Sequence, residues 1–172
     1  VVGMRLHFLI FAALQGVAKD GRDFIEAAIK AGAVAILTDE RPGDWSVPAV
    51  KTAEPRLTLA MAAAAFHPVQ PGVVAAVTGT NGKSSTVDFL RQIWASMGRK
   101  AASMGTLGAI GPSGVVDLGH TTPDPVAIHD TLEKLAREGV THAAMEASSH
   151  GLSQYRLHGV KLAAGAFTNL TQ

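Results

Sequence analysis

The stretch Val73–Leu90, VVAAVTGTNGKSSTVDFL, decides how the rest of the chain is read. An apolar run of strand character stops at Gly79. Gly-Thr-Asn-Gly-Lys-Ser follows, and Lys83 opens a helical pattern over Lys83–Met97 in which Val87, Leu90, Trp94 and Met97 recur at helix spacing before Gly98 ends it. Strand, glycine loop, Gly-Lys-Ser and helix in that order are the parts of a phosphate-binding loop. A Walker A loop reads G-x-x-x-x-G-K-[ST], and Val77 stands where its first glycine belongs, so this loop is tighter or differently shaped. Gly79 and Gly82 let the backbone turn and approach a ligand with no Cβ in the way. The free N–H groups and the positive dipole end of the following helix face the same point. Lys83 is then placed to reach terminal phosphates, and Ser84 to offer its hydroxyl to Mg²⁺.

Downstream, AASMGTLG gives a second strand and a glycine-flanked loop, and a hairpin is expected around Pro112-Ser113-Gly114. TTPDP starts the next helix, with threonine before proline as a normal helix N-terminus. VTHAAMEAS reads as a strand ending in Glu146, and GVKLAAGAFTNL supplies one more. Strands alternating with helices imply an α/β fold, a mostly parallel, three-layered sheet containing the P-loop. Ligands of such sheets bind beyond the C-terminal strand ends, so the glycine loop, GTLG, TTPDP, EASSH and FTNLTQ should share one rim.

Upstream lies a smaller α/β pattern. MRLHFLIFAAL (Met4–Leu14) resembles the core of a signal peptide, but the run is short and passes directly into globular pattern, so a buried strand is expected. Asp23–Ala31 reads as a helix with Phe24, Ile25, Ala28 and Ile29 on its apolar face, Gly32 ends it, and AVAILT is a buried strand. AVKT is a further short strand, and Arg56–Phe66 is an alanine-rich helix. HPVQPG, with two prolines and a glycine, breaks the pattern and sets a boundary between domains at 1–68 and 69–172.

Composition narrows the function classes. Hydrophobic content of 47% against 17% charged supports a packed core. A net charge of +1 and 5% aromatic residues give no electrostatic or stacking case for nucleic acid. No stretch approaches the roughly 20 apolar residues of a membrane span. Cysteine is absent, which removes disulfides and thiolate zinc sites and is compatible with the cytoplasm.

Glu146 follows an apolar strand, as the acidic Mg²⁺ ligand of phosphate-loop proteins does, and Mg²⁺ needs only a few hard oxygen ligands besides water and phosphate. SSHGLSQYR (Ser148–Arg156) packs hydroxyls, an imidazole, an amide and a guanidinium into nine residues, and Arg156 suits a carboxylate or phosphate. The same segment also fits a capped, half-exposed helix. His150 beside serines invites a hydrolase reading, but no G-x-S-x-G elbow or acid partner accompanies it.

In this order GTNGKSS, GTLG, TTPDP, MEASSHGLSQYRL and FTNLTQ resemble the Mur ligase family, and within it the MurE branch that adds the third residue of the peptidoglycan stem peptide. The resemblance covers nearly the whole chain. FAALQGVAKDGRDFIEAAIKAGAVAIL resembles the later part of the family's UDP-binding N-terminal domain. It implies an ATP-dependent amide ligase: ATP phosphorylates the D-glutamate carboxylate of UDP-MurNAc-L-Ala-D-Glu, and an amino acid amine (diaminopimelate or lysine) attacks the acyl phosphate. By resemblance, Gly79, Thr80, Asn81, Gly82, Lys83, Ser84 and Ser85 bind ATP. Ser84 and Glu146 hold Mg²⁺, with Lys83 and Glu146 as the catalytic pair. Thr121, Thr122, Ser148, Gln154 and Arg156 contact the UDP-muramoyl-dipeptide. A cytoplasmic monomer is expected, with no nucleic-acid or membrane partner.

The family pattern also has an upstream D-S-R segment and P-G-D-L-F before A-L-x-G, where this chain has HFLIF (His7–Phe11). Beyond F-T-N-L-T it continues into D-H-L-D, a carbamylated lysine and a C-terminal domain. The resemblance therefore implies a fragment, a partial first domain plus about half of the central one, with weak or absent ligase activity. The alternatives are a folylpolyglutamate- or cyanophycin-type ligase, against which TTPDP and SSHGLSQYR speak, and a non-catalytic nucleotide-binding module.

Overall fold

A computed structural model of the protein describes residues 9–16, 19–39 and 43–170. The chain divides into two compact units, Val1–Leu59 and Ala60–Gln172.

In the first unit, β1 (Leu9–Ala12), β2 (Ala33–Thr38) and β3 (Ala49–Lys51) form a parallel sheet in that order. Parallel neighbours need a crossover, and α1 (Ile25–Lys30) supplies the one from β1 to β2. A short 3₁₀ turn, Gly21–Phe24, precedes it, capped by the Asp20 carboxylate, which accepts from the Arg22 N–H at 3.0 Å. Gly32, at φ 100°, reverses the chain after α1, as expected of a glycine there. The core joins Ala13, Ile25 and Ile36 to Phe11, Ile29 and Trp45. Two expectations need correction. The first strand is not buried: Leu9 and Ile10 are 58% and 52% exposed, because β1 is an edge strand. Phe24 lies in the 3₁₀ turn, out of phase with the helix face, and is exposed. The Met4–Phe8 part of the expected strand lies outside the described residues.

The helix α2 (Pro55–Phe66) runs from the end of the first unit into the second. The second unit is a six-stranded sheet in the order β7-β6-β5-β8-β4-β9. Its strands β4 (Val73–Thr78), β5 (Ala101–Gly105), β8 (His142–Glu146) and β9 (Ala164–Phe167) are parallel. The expected hairpin is β6 (Gly108–Gly111) and β7 (Gly114–Val116), which adds two antiparallel strands at one edge.

The strand period of two sorts the core into layers. Val74 and Ala76 of β4, with Ala143 and Met145 of β8, pack with Ile128, Leu132 and Leu135 of α4 (Pro125–Arg137). The intervening Val77 and Ala144 pack with Val87, Leu90 and Trp94 of α3 (Lys83–Ser96). This is the doubly covered, mostly parallel sheet that the alternation of elements predicts. Met97 falls at the cap after α3 and is 64% exposed, so it leaves the predicted apolar face. The threonine start of α4 is also corrected. Asp124 is the cap, accepting from the N–H groups of Val126 and Ala127 at 2.9 and 3.0 Å, with Pro125 in the first turn. Among the described residues no helix is long and apolar enough to cross a membrane.

Candidate functional site

The parallel strands end on one rim, and the residues of interest gather there. β4 delivers the loop Gly79–Gly82 to the start of α3, with Gly82 left-handed at φ 83° as its cap residue. The loop is clamped from the segment after β9. The Thr168 hydroxyl donates to the carbonyls of Asn81 at 2.7 Å and Thr78 at 3.2 Å. The Asn169 amide donates to the Asn81 carbonyl at 3.1 Å and accepts from the Asn81 N–H at 3.1 Å. The Thr80 N–H donates to the Asn169 carbonyl at 2.9 Å. Neither Thr168 nor Asn169 stands among the sequence candidates. The only signal for them is that FTNLT begins at a strand end facing the loop.

Lys83 folds over the loop, its ammonium donating to the carbonyls of Gly79 at 2.7 Å and Thr80 at 3.0 Å. An ammonium has three donors, so one is left for a ligand. Gly79, Thr80 and Lys83 line a cleft of about 320 Å³ together with Ser148, Phe167 and Leu170. Ser85 is exposed on the first turn of α3.

Ser84, from the first turn of α3, and Glu146, the last residue of β8, line one small cavity of about 10 Å³ with Asp88 and Gly105. That is about the room of one water-sized sphere. Glu146 is buried, and its Oε1 accepts from the Thr106 N–H at 2.8 Å. Among the described residues the one partner of Oε2 is the Thr106 hydroxyl, at 3.5 Å, which leaves lone-pair capacity on that oxygen for a cation. A serine hydroxyl and an under-used carboxylate oxygen in a cavity of ionic size fit Mg²⁺, which takes hard oxygen ligands and completes its shell with phosphate and water. Among the described residues no cluster of three or more histidine, aspartate or glutamate side chains could hold a metal.

The TTPDP and SSHGLSQYR segments meet beside Glu146. The Thr121 hydroxyl is 2.9 Å from that of Thr106. Thr122 is buried, and its hydroxyl donates to the Glu146 carbonyl at 3.0 Å and accepts from the Ser148 N–H at 2.9 Å. Ser148 caps α5 (Ser149–Ser153), accepting from the Gly151 N–H at 3.0 Å. The capped-helix reading of that segment is therefore realised. Arg156 donates to the Thr122 carbonyl at 2.6 Å and, through Nε and Nη2, to the Gln154 side-chain oxygen at 3.1 and 2.8 Å. With that oxygen taken, the Gln154 amide nitrogen donates to His150 Nε2 at 2.8 Å. All the candidates thus lie on one rim, but Thr122 and much of Arg156 are engaged in holding it together.

A further cavity of about 380 Å³ lies in the first unit, at the ends of β1 and β2, lined by Ala13–Gly16, Asp39 and the start of α2 around Glu54 and Arg56. It contains none of the candidate residues.

Comparison with known proteins gives the lineage. Residues 3–76 match the catalytic domain of the Mur ligase family, and residues 77–172 match the Mur ligase middle domain. A UDP-N-acetylmuramoyl-L-alanyl-D-glutamate–2,6-diaminopimelate ligase of Bradyrhizobium diazoefficiens is 54% identical over 163 residues, covering 95% of this chain and 34% of its own length. The ligase of the same name from Brucella melitensis is 56% identical, covering 94% and 33%. A solved structure of such a ligase superposes with a TM-score of 0.83 at 30% identity, covering 98% of this chain and 35% of that one. The MurF ligase of Thermotoga maritima, solved with ADP, shares the fold with a TM-score of 0.62 at 19% identity, covering 95% and 35%. The chain spans about a third of the length of the curated relatives it matches. Across both matched regions, this chain belongs to the Mur ligase family.

Proposed function

We propose that the chain carries the nucleotide-binding part of an ATP-dependent amide ligase of peptidoglycan precursor synthesis, the MurE reaction. The observation that carries this reading is the convergence of the Gly79–Gly82 loop, Lys83, Ser84 and Glu146 on one rim. Residues 1–68 are assigned to the UDP-substrate-binding domain and 69–172 to the first part of the ATP-binding domain. The substrates are UDP-MurNAc-L-Ala-D-Glu and an amino acid. Diaminopimelate is favoured because the names of the relatives specify it. The setting is a cytoplasmic monomer.

In this reading the loop N–H groups and Lys83 hold the phosphates of ATP, with Lys83 exchanging its loop carbonyls for phosphate oxygens. Ser84 and Glu146 would hold Mg²⁺, which when bound would neutralise charge on the transferring phosphoryl group. A carboxylate is a poor acyl donor until one oxygen becomes a good leaving group, which is what phosphorylation achieves. Thr121, Thr122, Ser148, Gln154 and Arg156 form the wall that receives the acceptor carboxylate and its muramoyl-peptide. The half-buried Arg156 keeps Nη1 and Nη2 hydrogens for an anion beyond those spent on Thr122 and Gln154.

Calorimetric titration of the chain with Mg·ATP tests the reading. Saturable binding that disappears in Lys83→Met and weakens without Mg²⁺ is expected. Heat of binding identical in wild type and Lys83→Met overturns it. Adding UDP-MurNAc-L-Ala-D-Glu separates the ligase from a bare nucleotide-binding module, because only the ligase site takes up the peptide.

A further inference from the structure

The turn between β5 and β6 joins the two halves of the site. Gly105 has no room for a side chain: a Cβ there would lie 2.1 Å from Glu146 Oε1 and 2.6 Å from its Cδ. The carboxylate therefore rests directly on the turn backbone. The next residue, Thr106, holds Oε1 through its N–H at 2.8 Å and brings its hydroxyl to 3.5 Å from Oε2. The same hydroxyl is 2.9 Å from that of Thr121, which enters from the segment before α4. One residue on a third element thus touches the proposed metal ligand with two groups and the proposed substrate threonine with one of them.

We infer that Thr106 is a positioning residue that orients the Glu146 carboxylate toward the metal and couples it to Thr121. This inference rests on the functional reading above. The backbone N–H fixes Oε1 and so leaves Oε2 as the oxygen offered to a cation. The hydroxyl is shared between Oε2 and Thr121, so its proton has two alternative acceptors. With the Thr121 hydroxyl as donor in their shared contact, the Thr106 proton stays on the side of Oε2 and steadies the carboxylate with that oxygen toward the cavity, as an outer-shell partner of a metal ligand does.

The test is Mn²⁺ binding to the chain, followed by electron paramagnetic resonance in the presence of a non-hydrolysable ATP analogue, with analogue affinity measured separately in EDTA. Thr106→Val keeps the backbone N–H and the side-chain shape but loses the hydroxyl; Thr106→Ser keeps both polar groups. Thr106→Val is expected to bind Mn²⁺ about tenfold more weakly, the low end of what loss of an outer-shell partner costs. Its metal-free analogue affinity stays at the wild-type value, and Thr106→Ser restores Mn²⁺ affinity. Thr121→Val breaks the same hydroxyl contact from another element and is expected to shift Mn²⁺ affinity in the same direction, which covers the case of a poorly folded Thr106→Val. Mn²⁺ affinity unchanged in both valine variants overturns the inference. Equal weakening of Mn²⁺ and of metal-free analogue overturns it too, because that is the mark of a structural defect. Absence of Mn²⁺–analogue binding in the wild type overturns the functional reading itself and this inference with it, whereas wild-type binding with indifferent valine variants leaves the reading standing.

Discussion

Gly79 and Thr168 approach so closely that no side chain fits between them: a Cβ on Gly79 would lie 2.1 Å from Thr168 Oγ1 and 2.9 Å from the Asn169 carbonyl oxygen. The glycine loop and the segment that clamps it are thus one packed unit. Gly79 also sits at φ 129°, a conformation that side chains strongly resist.

Gly79→Ala should therefore destabilise the chain by about 2 kcal/mol or more, from backbone strain together with displacement of the clamp. Gly82, at φ 83°, has nothing nearer than 4.0 Å to an added Cβ, so Gly82→Ala should cost only the left-handed penalty, about 1 kcal/mol. Urea unfolding of the two variants gives the comparison. Equal losses would show that the Thr168 contact contributes nothing.

The same substitution at two buried threonines should have opposite signs. The Thr122 hydroxyl satisfies the Glu146 carbonyl and the Ser148 N–H, so Thr122→Val strands both and should cost about 2–4 kcal/mol. Thr38, also buried, has a hydroxyl with no hydrogen-bond partner among the described residues. Thr38→Val removes a group that pays desolvation without return, and should stabilise by up to about 1 kcal/mol. Urea midpoints, at unchanged slope, read both effects.

Much of this architecture is legible in the chain because its signals are local. The run Val73–Thr78, Gly79, Gly82 and Lys83 fixes strand, loop and helix within a dozen residues, and β4 and α3 start where that pattern places them. The hairpin around Pro112-Ser113-Gly114 and the cap at Ser148 are equally local. What escapes is long-range. Exposure of Leu9 and Ile10 follows from strand order, which an apolar run does not encode. The clamp by Thr168 and Asn169 spans nearly ninety residues of sequence. Thr106 lies in the GTLG segment expected on the rim, but its link to Glu146 and Thr121 exists only once β5 and β8 are paired. Thr122 is legible as a residue of the rim, whereas its service as an internal pin is not.

Stability should fall as the medium turns mildly acidic, and His129 should account for part of it. Burial on α4 holds its pKa below the ordinary 6.5, opposed by its bond to the His158 carbonyl at 3.0 Å and aided by the nearby His67. A histidine whose folded pKa is lowered binds fewer protons folded than unfolded. Its contribution is therefore complete above about pH 6.5 and is lost as pH falls through that value toward the lowered one. His129→Gln keeps an N–H donor for the His158 carbonyl and does not titrate. Its urea midpoint should change less than that of the wild type between pH 7 and 5. Parallel pH profiles for the two proteins would rule out this role.

Glu146→Gln should separate metal binding from folding. The glutamine oxygen can replace Oε1 as acceptor of the Thr106 N–H, and its amide nitrogen takes the place of Oε2, within reach of the Thr106 hydroxyl. In metal-free buffer, replacing a buried carboxylate by a neutral amide relieves the desolvation of the charge, so the urea midpoint should stay at or slightly above the wild-type value. An amide nitrogen cannot ligate a hard cation, and Mn²⁺ affinity in the presence of an ATP analogue should drop by no less than the roughly 10–100-fold seen for outer-shell partners. Analogue affinity in EDTA should be retained or improved, since a carboxylate near the phosphates is gone. A variant that folds and binds the analogue in EDTA yet takes up Mn²⁺ as tightly as wild type would place the metal elsewhere, and would remove Glu146 from the proposed catalytic pair with Lys83.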